Sequence, residues 1–195
     1  MVLSGGRGRR LGADKRRLRH AQGESVLGRL VTTLCGAWAE VRLVGGGPLV
    51  DDMPACVVTP DLWPALGAPG AVRTALATSA PGWVAVYALD LPGVGVVEVE
   101  ALVRAVDRAE REAPWARVVA PFARGRGQPL AAAWHTTALA AWPAPIDVDG
   151  RAPSLHAWSC AAGASWFLTP REAALDDVDE PADLVAAGLT MGECD

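Results

Sequence analysis

The strongest constraint on the fold is a run of apolar residues near the middle of the chain that ends at an acid. Trp83–Leu89 (WVAVYAL) contains no charged residue, and Asp90 follows it directly. An uninterrupted apolar run of this length is typical of a strand that is buried on both faces of a sheet. The apolar periodicity of residues 96–112 then predicts an amphipathic helix. This strand–helix unit indicates an α/β sheet.

Similar units precede and follow this one. Further helices are predicted over residues 25–39, with Ser25 as the N-cap, and over residues 70–79. The other strands predicted in this part of the chain are Val2–Leu3, Val41–Val44, Cys56–Thr59 and Arg117–Ala120. Because strands and helices alternate, we expect a three-layer, Rossmann-like α/β fold with a mostly parallel sheet.

The second half of the chain is less regular. Short strands are predicted at Pro129–Trp134, at Trp166–Leu168 and around Val178. Helices are predicted over residues 153–162 and from Pro181 to Gly188, since proline favours a first helical turn and glycine a helix end. No internal repeat and no long linker divides the sequence, so we expect a single domain over residues 1–195.

Composition excludes several classes of protein. With 51% apolar and 21% charged residues, the chain is not of the disordered class. A net charge of −4 disfavours a nucleic-acid-binding surface. The apolar stretches are interrupted well before the ~20 residues of a membrane span, and the first 30 residues lack the apolar core of a secretion signal. The four cysteines form no C-x-x-C pair. We therefore expect a cytoplasmic protein with neither nucleic acid nor a membrane as partner.

A glycine- and arginine-rich turn follows the first predicted strand. Residues 3–15 read LSGGRGRRLGADK, and the spacing matches neither a P-loop nor a G-x-G-x-x-G turn. Glycines in such a turn allow backbone N–H groups to approach a phosphate chain, and the nearby cations offset its charge. Lys15 is the only lysine among 18 cationic side chains. An ammonium is a compact point charge, whereas a guanidinium is a wide planar fork. The single lysine therefore indicates that position 15 requires the ammonium and that arginine cannot replace it.

The same residues resemble a known family signature. Leu3-Ser4-Gly5-Gly6, followed by Arg10, Gly12, Asp14 and Lys15, is similar to the L-A-G-G-x-x-x-R-x-G-x-D-K motif of MobA-like nucleotidyltransferases, whose type member is molybdenum cofactor guanylyltransferase. A second strong match is Leu89–Pro92. Weaker matches occur in the family's order at Asp61 with Gly67–Gly70, Gly127–Leu130, Gly150 with Ser154-Leu155, and Asp177–Leu184.

This resemblance implies a fold of the nucleotide-diphospho-sugar-transferase type and an activity. The implied reaction transfers GMP from GTP to molybdopterin and releases pyrophosphate, with Mg²⁺ as cofactor. A molybdoenzyme maturation chaperone is a further implied partner. Catalysis of this kind depends on positioning and charge neutralisation, because no protein nucleophile takes part.

The resemblance also implies roles for individual residues. Gly5 and Gly6 would lend backbone donors, Arg10 and Lys15 would hold phosphates, and Asp90 would hold Mg²⁺. The implied catalytic residues are Arg10, Lys15 and Asp90. The implied nucleotide-binding residues are Leu3, Ser4, Gly5, Gly6, Lys15, Gly45, Asp61 and Asp90. The implied metal ligands are Asp90 and Asp179.

Some positions depart from the family pattern. The family's asparagine after the second strand is Gly45 or Gly46 here, and its closing asparagine pair is Asp177 and Asp179. Only two residues precede Leu3, whereas a central strand needs about five, so we expect a translated start upstream of Met1.

Alternatives therefore stay open. One is a related transferase with another acceptor or base, such as molybdopterin cytidylyltransferase or phospholactate guanylyltransferase. Another is a catalytically inactive nucleotide-binding relative. Each acid also has a structural interpretation: Asp90 as a strand end, Asp61 as a turn residue and Asp179 as a helix cap.

Overall fold

A mixed β-sheet forms the middle layer of the computed structural model, which describes residues 1–5, 8, 10–47, 54–142 and 154–192. A separate two-stranded sheet pairs segments from the two ends of the chain. The strands of both sheets are, in chain order, β1 (Val2–Leu3), β2 (Leu18–His20), β3 (Arg42–Val44), β4 (Val57–Thr59), β5 (Trp83–Ala88), β6 (Val118–Ala123), β7 (Arg126–Gly127), β8 (Ala131–His135), β9 (Ala164–Leu168) and β10 (Leu189–Met191). The α-helices are α1 (Val26–Cys35), α2 (Gly67–Ala77), α3 (Val96–Glu112), α4 (Leu155–Ala161) and α5 (Pro181–Ala187).

The main sheet has the order β4-β3-β1-β5-β8-β6, with β7 and β9 both paired to β6. The pairs β4–β3, β3–β1, β1–β5 and β6–β9 are parallel. The pairs β5–β8, β8–β6 and β6–β7 are antiparallel. The predicted α/β fold with a mostly parallel sheet is confirmed, and the antiparallel part lies in the second half of the chain.

Helices cover both faces of this sheet. Along β5, Ala85 and Tyr87 pack in one core with α1 and α3, while Val84 and Val86 pack in a second core with α2 and α4. Successive side chains of a strand point to opposite faces, so an unbroken apolar run is required at a position covered on both sides. The three-layer arrangement thus follows from the apolar composition of the central strand.

Most predicted elements are found close to their expected bounds. Residues 96–112 form α3 as predicted. The side chain of Ser25 accepts a hydrogen bond from the N–H of Gly28 at 2.8 Å and caps α1. The last helix, α5, begins at Pro181 and ends at Ala187, and its C-cap Gly188 adopts the left-handed conformation. Helix α2 begins at Gly67, three residues before the predicted start.

Two features differ from the expectation. The strand predicted around Val178 is wrong: the residue lies outside the strands, is 2% exposed, and its N–H donates to the carbonyl of Asp90 at 2.9 Å. Its apolar character reflects burial beneath the end of β5. The antiparallel pair β2–β10 has no counterpart among the predicted strands, because each of the two strands is only three residues long and lacks an apolar run.

The sheet register sets the position of the functional loops. Leu3 is aligned with Val44 on β3 and with Ala88 on β5. The carboxyl ends of these three parallel strands therefore lie side by side, and the loops that follow them meet at one edge. Within the described residues, no helix is long and apolar enough to cross a membrane.

Candidate functional site

A cleft of about 1400 Å³ opens where the loops after β1, β3 and β5 meet the start of α2. Seven residues predicted to bind nucleotide line it: Leu3, Ser4, Gly5, Lys15, Gly45, Asp61 and Asp90. Arg10 and Asp179 lie at its margin, where they contact each other. Gly6 is outside the described residues. The structure thus brings together residues that are up to 169 positions apart in the sequence, as in the pair of Arg10 and Asp179.

The loops after β1 and β3 touch through glycine backbone. The N–H groups of Ser4 and Gly5 both donate to the carbonyl of Val44, at 3.0 and 3.2 Å. Gly45 has a φ of +105°, and a Cβ at this position would lie 2.7 Å from the Cα of Gly5. The family's asparagine therefore does not fit at Gly45 in this loop geometry. The amide of Gly5 is paired with Val44 in this structure, so Gly5 brings the two loops into close contact, and its role as a phosphate donor stays a prediction.

An ion-pair network connects the glycine loop to the end of β5. The ammonium of Lys15 lies 2.9 Å from Oδ2 of Asp90 and 2.5 Å from Oδ1 of Asp179. The guanidinium of Arg10 lies 3.3 Å from the other oxygen of Asp179. The side chain of Lys15 is 16% exposed and that of Arg10 is 75% exposed, so Lys15 carries the shielded part of the network. Two carboxylates from distant segments face one cation.

The surroundings of Lys15 keep it charged. Burial by itself lowers the pKa of Lys15, but the hydrogen bonds to Asp179 and Asp90 outweigh it and raise the pKa above the ordinary 10.5. A raised pKa in a lysine means that the ammonium is stabilised by the fold. Lys15 is therefore a fixed positive charge at neutral pH.

Asp14 and Arg16 hold the backbone on either side of Lys15. The Asp14 carboxylate accepts from the N–H of Arg16 at 3.0 Å and caps the single 3₁₀ turn Lys15–Arg17. The Arg16 guanidinium binds the same carboxylate at 2.6 Å, which lowers the pKa of Asp14. Arg16 also donates to the carbonyl of Gly47 at 3.0 Å and so bridges the loops after β1 and β3. Arg16 is not among the predicted site residues, and the acid two positions earlier is the signal that could have identified it.

The start of α5 places Asp179 beside Asp90. One oxygen of Asp183 accepts the N–H groups of Asp179 and Glu180, at 2.9 and 2.8 Å. These backbone hydrogen bonds lower the pKa of Asp183. The backbone bond from Val178 to Asp90 fixes the same segment against the end of β5. Asp183 is thus a positioning residue, and its place in the closing Asp177–Leu184 segment is the signal for it.

Asp61 shapes the opposite wall of the cleft. Its Oδ1 accepts from the N–H of Trp63 at 2.9 Å and from the hydroxyl of Thr74 on α2 at 2.8 Å. The guanidinium of Arg73 stacks on the ring of Trp63, 4.1 Å from its centroid. The carboxylate therefore fixes the loop that lines the cleft, and its contact with a nucleotide stays a prediction.

The residues at the end of β5 fit a magnesium ion. The described residues contain no cluster of three or more histidine, cysteine, aspartate or glutamate side chains that could hold a metal by themselves. Asp90 and Asp179, however, already converge on one cation, Lys15. Mg²⁺ is commonly held by one or two carboxylates together with substrate phosphates, and Asp90 and Asp179 are two carboxylates that fit this role.

The chain is similar to known nucleotidyltransferases. The model of the MobA-like NTP transferase domain matches residues 1–162. A phosphoenolpyruvate guanylyltransferase from Salinispora arenicola is 33% identical over 201 residues, covering 94% of this chain and 86% of that protein.

Solved structures share the fold. The molybdopterin-guanine dinucleotide biosynthesis protein A of Archaeoglobus fulgidus has a TM-score of 0.73 at 18% identity, covering 96% of this chain and 95% of its own. The 2-C-methyl-D-erythritol 4-phosphate cytidylyltransferase of Thermus thermophilus has a TM-score of 0.61 at 18% identity, with coverage of 96% and 95%. At these identities the likeness concerns the architecture.

Proposed function

The chain belongs to the MobA-like NTP transferase family and is a nucleotidyltransferase, and from that premise we propose that it transfers GMP from GTP to a small phosphorylated acid. The observation that carries the proposal is the 33% identity to a phosphoenolpyruvate guanylyltransferase across 94% of the chain. We take phosphoenolpyruvate as the first candidate acceptor. Molybdopterin is the second, because residues 3–15 resemble the signature of MobA-like nucleotidyltransferases, whose type member is molybdenum cofactor guanylyltransferase.

The bond changes require no protein nucleophile. An oxygen of the acceptor phosphate attacks the α-phosphorus of GTP, a new diphosphate bond forms, and the bond to the β-phosphate breaks. The electron pair of that bond leaves with pyrophosphate. An in-line displacement of this kind is accelerated by fixing the two reactants and by neutralising the charge on the phosphate oxygens.

The residues of the cleft suit these tasks. Gly5 and Gly45 line the cleft at the ends of β1 and β3, and without side chains they let the two loops pack in direct contact beside the space proposed for the nucleotide. Asp90 and Asp179 would hold Mg²⁺, which when bound would supply charge neutralisation at the phosphates. Lys15, which holds the two carboxylates in the nucleotide-free protein, would turn its ammonium toward the phosphate chain. Arg10 would assist from the margin of the cleft, where its side chain is largely exposed.

Pyrophosphate release tests this proposal. The protein is incubated with Mg²⁺ and GTP, CTP or ATP, in the presence of phosphoenolpyruvate or molybdopterin, with Asp90→Asn as the inactive control. We expect release with GTP and phosphoenolpyruvate, and a preference for GTP of about tenfold, or 1.4 kcal/mol. Release with molybdopterin but not with phosphoenolpyruvate would identify molybdopterin as the acceptor. Faster turnover with CTP would refute the guanylyl assignment, and nucleotide binding without release under any condition would indicate an inactive relative.

A further inference from the structure

A second cavity of about 460 Å³ adjoins the nucleotide cleft. Asp90 and Leu130 line both spaces, so the two meet at the predicted metal ligand. The other walls come from the chain between β7 and β8, from the start of α4 and from the segment before Val178. An acceptor in this cavity would face Asp90 from a side that the glycine loop does not line.

The indole of Trp166, which is half-buried, contacts two parts of the polar wall of this second cavity. A Cβ at Gly127 would lie 2.1 Å from the ring of Trp166, so the backbone of β7 rests directly on the indole. The imidazole of His156 stacks on the same indole, with ring centroids 5.8 Å apart and planes at 17°. Trp166 therefore fixes two cavity-lining positions at once, Arg126 through its neighbour Gly127 and His156 through its ring.

The charged residues that line the cavity differ in whether they already have an ion-pair partner. Within the described part of the chain, the side chain of Arg126 has no ion-pair partner, whereas Arg124, on the same turn, is paired with Asp176 at 2.8 Å. Of the two acids that line the cavity, Asp90 is paired with Lys15 and Asp177 is exposed. A guanidinium presents a planar fork that matches a carboxylate in a bidentate pair.

We propose that this second cavity is the acceptor subsite and that Arg126 binds the carboxylate of a small phosphorylated acid whose phosphate lies at Asp90. The inference rests on the proposed function and adds the residue that selects the acceptor. The imidazole of His156 provides a second hydrogen-bonding group, and leucines at positions 91, 155 and 175 form the apolar part of the wall. An oxygen of the acceptor's phosphate attacks the α-phosphorus of GTP. The acceptor's carboxylate, bound by Arg126, takes no part in the bond changes.

Calorimetric titration with phosphoenolpyruvate in the presence of Mg²⁺ tests the subsite independently of turnover. Arg126→Gln should weaken phosphoenolpyruvate binding by about tenfold or more, the usual share of a charged hydrogen-bonded pair. Its affinity for GTP should stay within about twofold of the wild type. Arg124→Gln is the matched control. It also removes one positive charge, but from an arginine that lies two residues from Arg126 and is already paired with Asp176. Arg126→Lys should fall between the wild type and Arg126→Gln, since it keeps the charge and loses the fork.

The outcomes separate this inference from the proposed function. Unchanged phosphoenolpyruvate affinity in folded Arg126→Gln would overturn the subsite, as would an equal loss in Arg124→Gln or the absence of binding to the wild type. Pyrophosphate release with molybdopterin, but no binding of phosphoenolpyruvate, would overturn the subsite while guanylyl transfer stands. Binding that depends on Arg126, without pyrophosphate release from any acceptor, would support the subsite and refute the transfer reaction.

Discussion

Replacing Lys15 by methionine removes the ammonium that two carboxylates share while keeping the length of the side chain. The variant loses the hydrogen bonds to Asp90 and Asp179, at 2.9 and 2.5 Å. A hydrogen bond to a charged group contributes roughly 1.5–3 kcal/mol when shielded from solvent. Because the side chain of Asp179 is 36% exposed, its share is discounted toward the value of a surface pair. We expect the free energy of unfolding to fall by about 2–3 kcal/mol.

Magnesium should distinguish this account from a general loss of packing. In Lys15→Met the two carboxylates lose the ammonium that they share, while Asp179 keeps its pair with the exposed Arg10. Mg²⁺ alone should therefore stabilise the variant more than it stabilises the wild type. GTP affinity should fall roughly ten- to a hundredfold, because the phosphate chain loses one charged partner. Because the pKa of Lys15 is raised, its contribution is fully present below pH 10.5 and is lost as pH rises through the folded-state value. The stability difference between wild type and variant should therefore be constant from about pH 6 to 9.

Urea denaturation with and without Mg²⁺ measures the loss of stability in Lys15→Met and the stabilisation of this variant by Mg²⁺. Arg104→Met is the control, since Arg104 forms an exposed ion pair with Glu100 on α3, with side chains 63% and 57% exposed. Its cost should stay below about 0.5 kcal/mol. A Lys15→Met variant as stable as the wild type, with no additional response to Mg²⁺, would refute the shared-cation arrangement.

Three further predictions concern the metal site, a loop and pH. Asp90→Asn should abolish Mg²⁺-dependent pyrophosphate release while unfolding remains cooperative, and loss of cooperativity would instead make Asp90 a structural cap. Gly45→Ala should cost about 2–4 kcal/mol by thermal denaturation, because it adds a backbone clash to an unfavourable φ. Gly82→Ala also has a positive φ but meets no atom within 4 Å, so its cost should be at most half as large. Burial, and then Arg29, lower the pKa of His20, so the free energy of unfolding should fall as pH drops below 6.5, and His20→Gln should reduce that slope.

The local elements could be predicted because their signals are contained in short stretches of sequence. The apolar run of β5 indicates a strand that is buried on both faces, and the periodicity of α3 indicates a helix that is buried along one stripe. Both patterns can be read from neighbouring residues alone. The Ser25 cap is local in the same sense. The residues before Gly12 and the acid after β5 could be assigned to a phosphate site, since both lie at the ends of predicted parallel strands.

The partners of these residues could not be predicted in this way. Lys15 meets an acid 75 residues away and another 164 residues away, through the register of β1 with β5 and the packing of the segment before α5. The need for glycine at position 45 likewise arises from contact with Gly5, which no local pattern records. Local sequence determined the strands, the helices and the chemistry that each loop carries. Only the tertiary structure decided which charges share a cation and which cavity adjoins Asp90, because these depend on strand order and register across the whole chain.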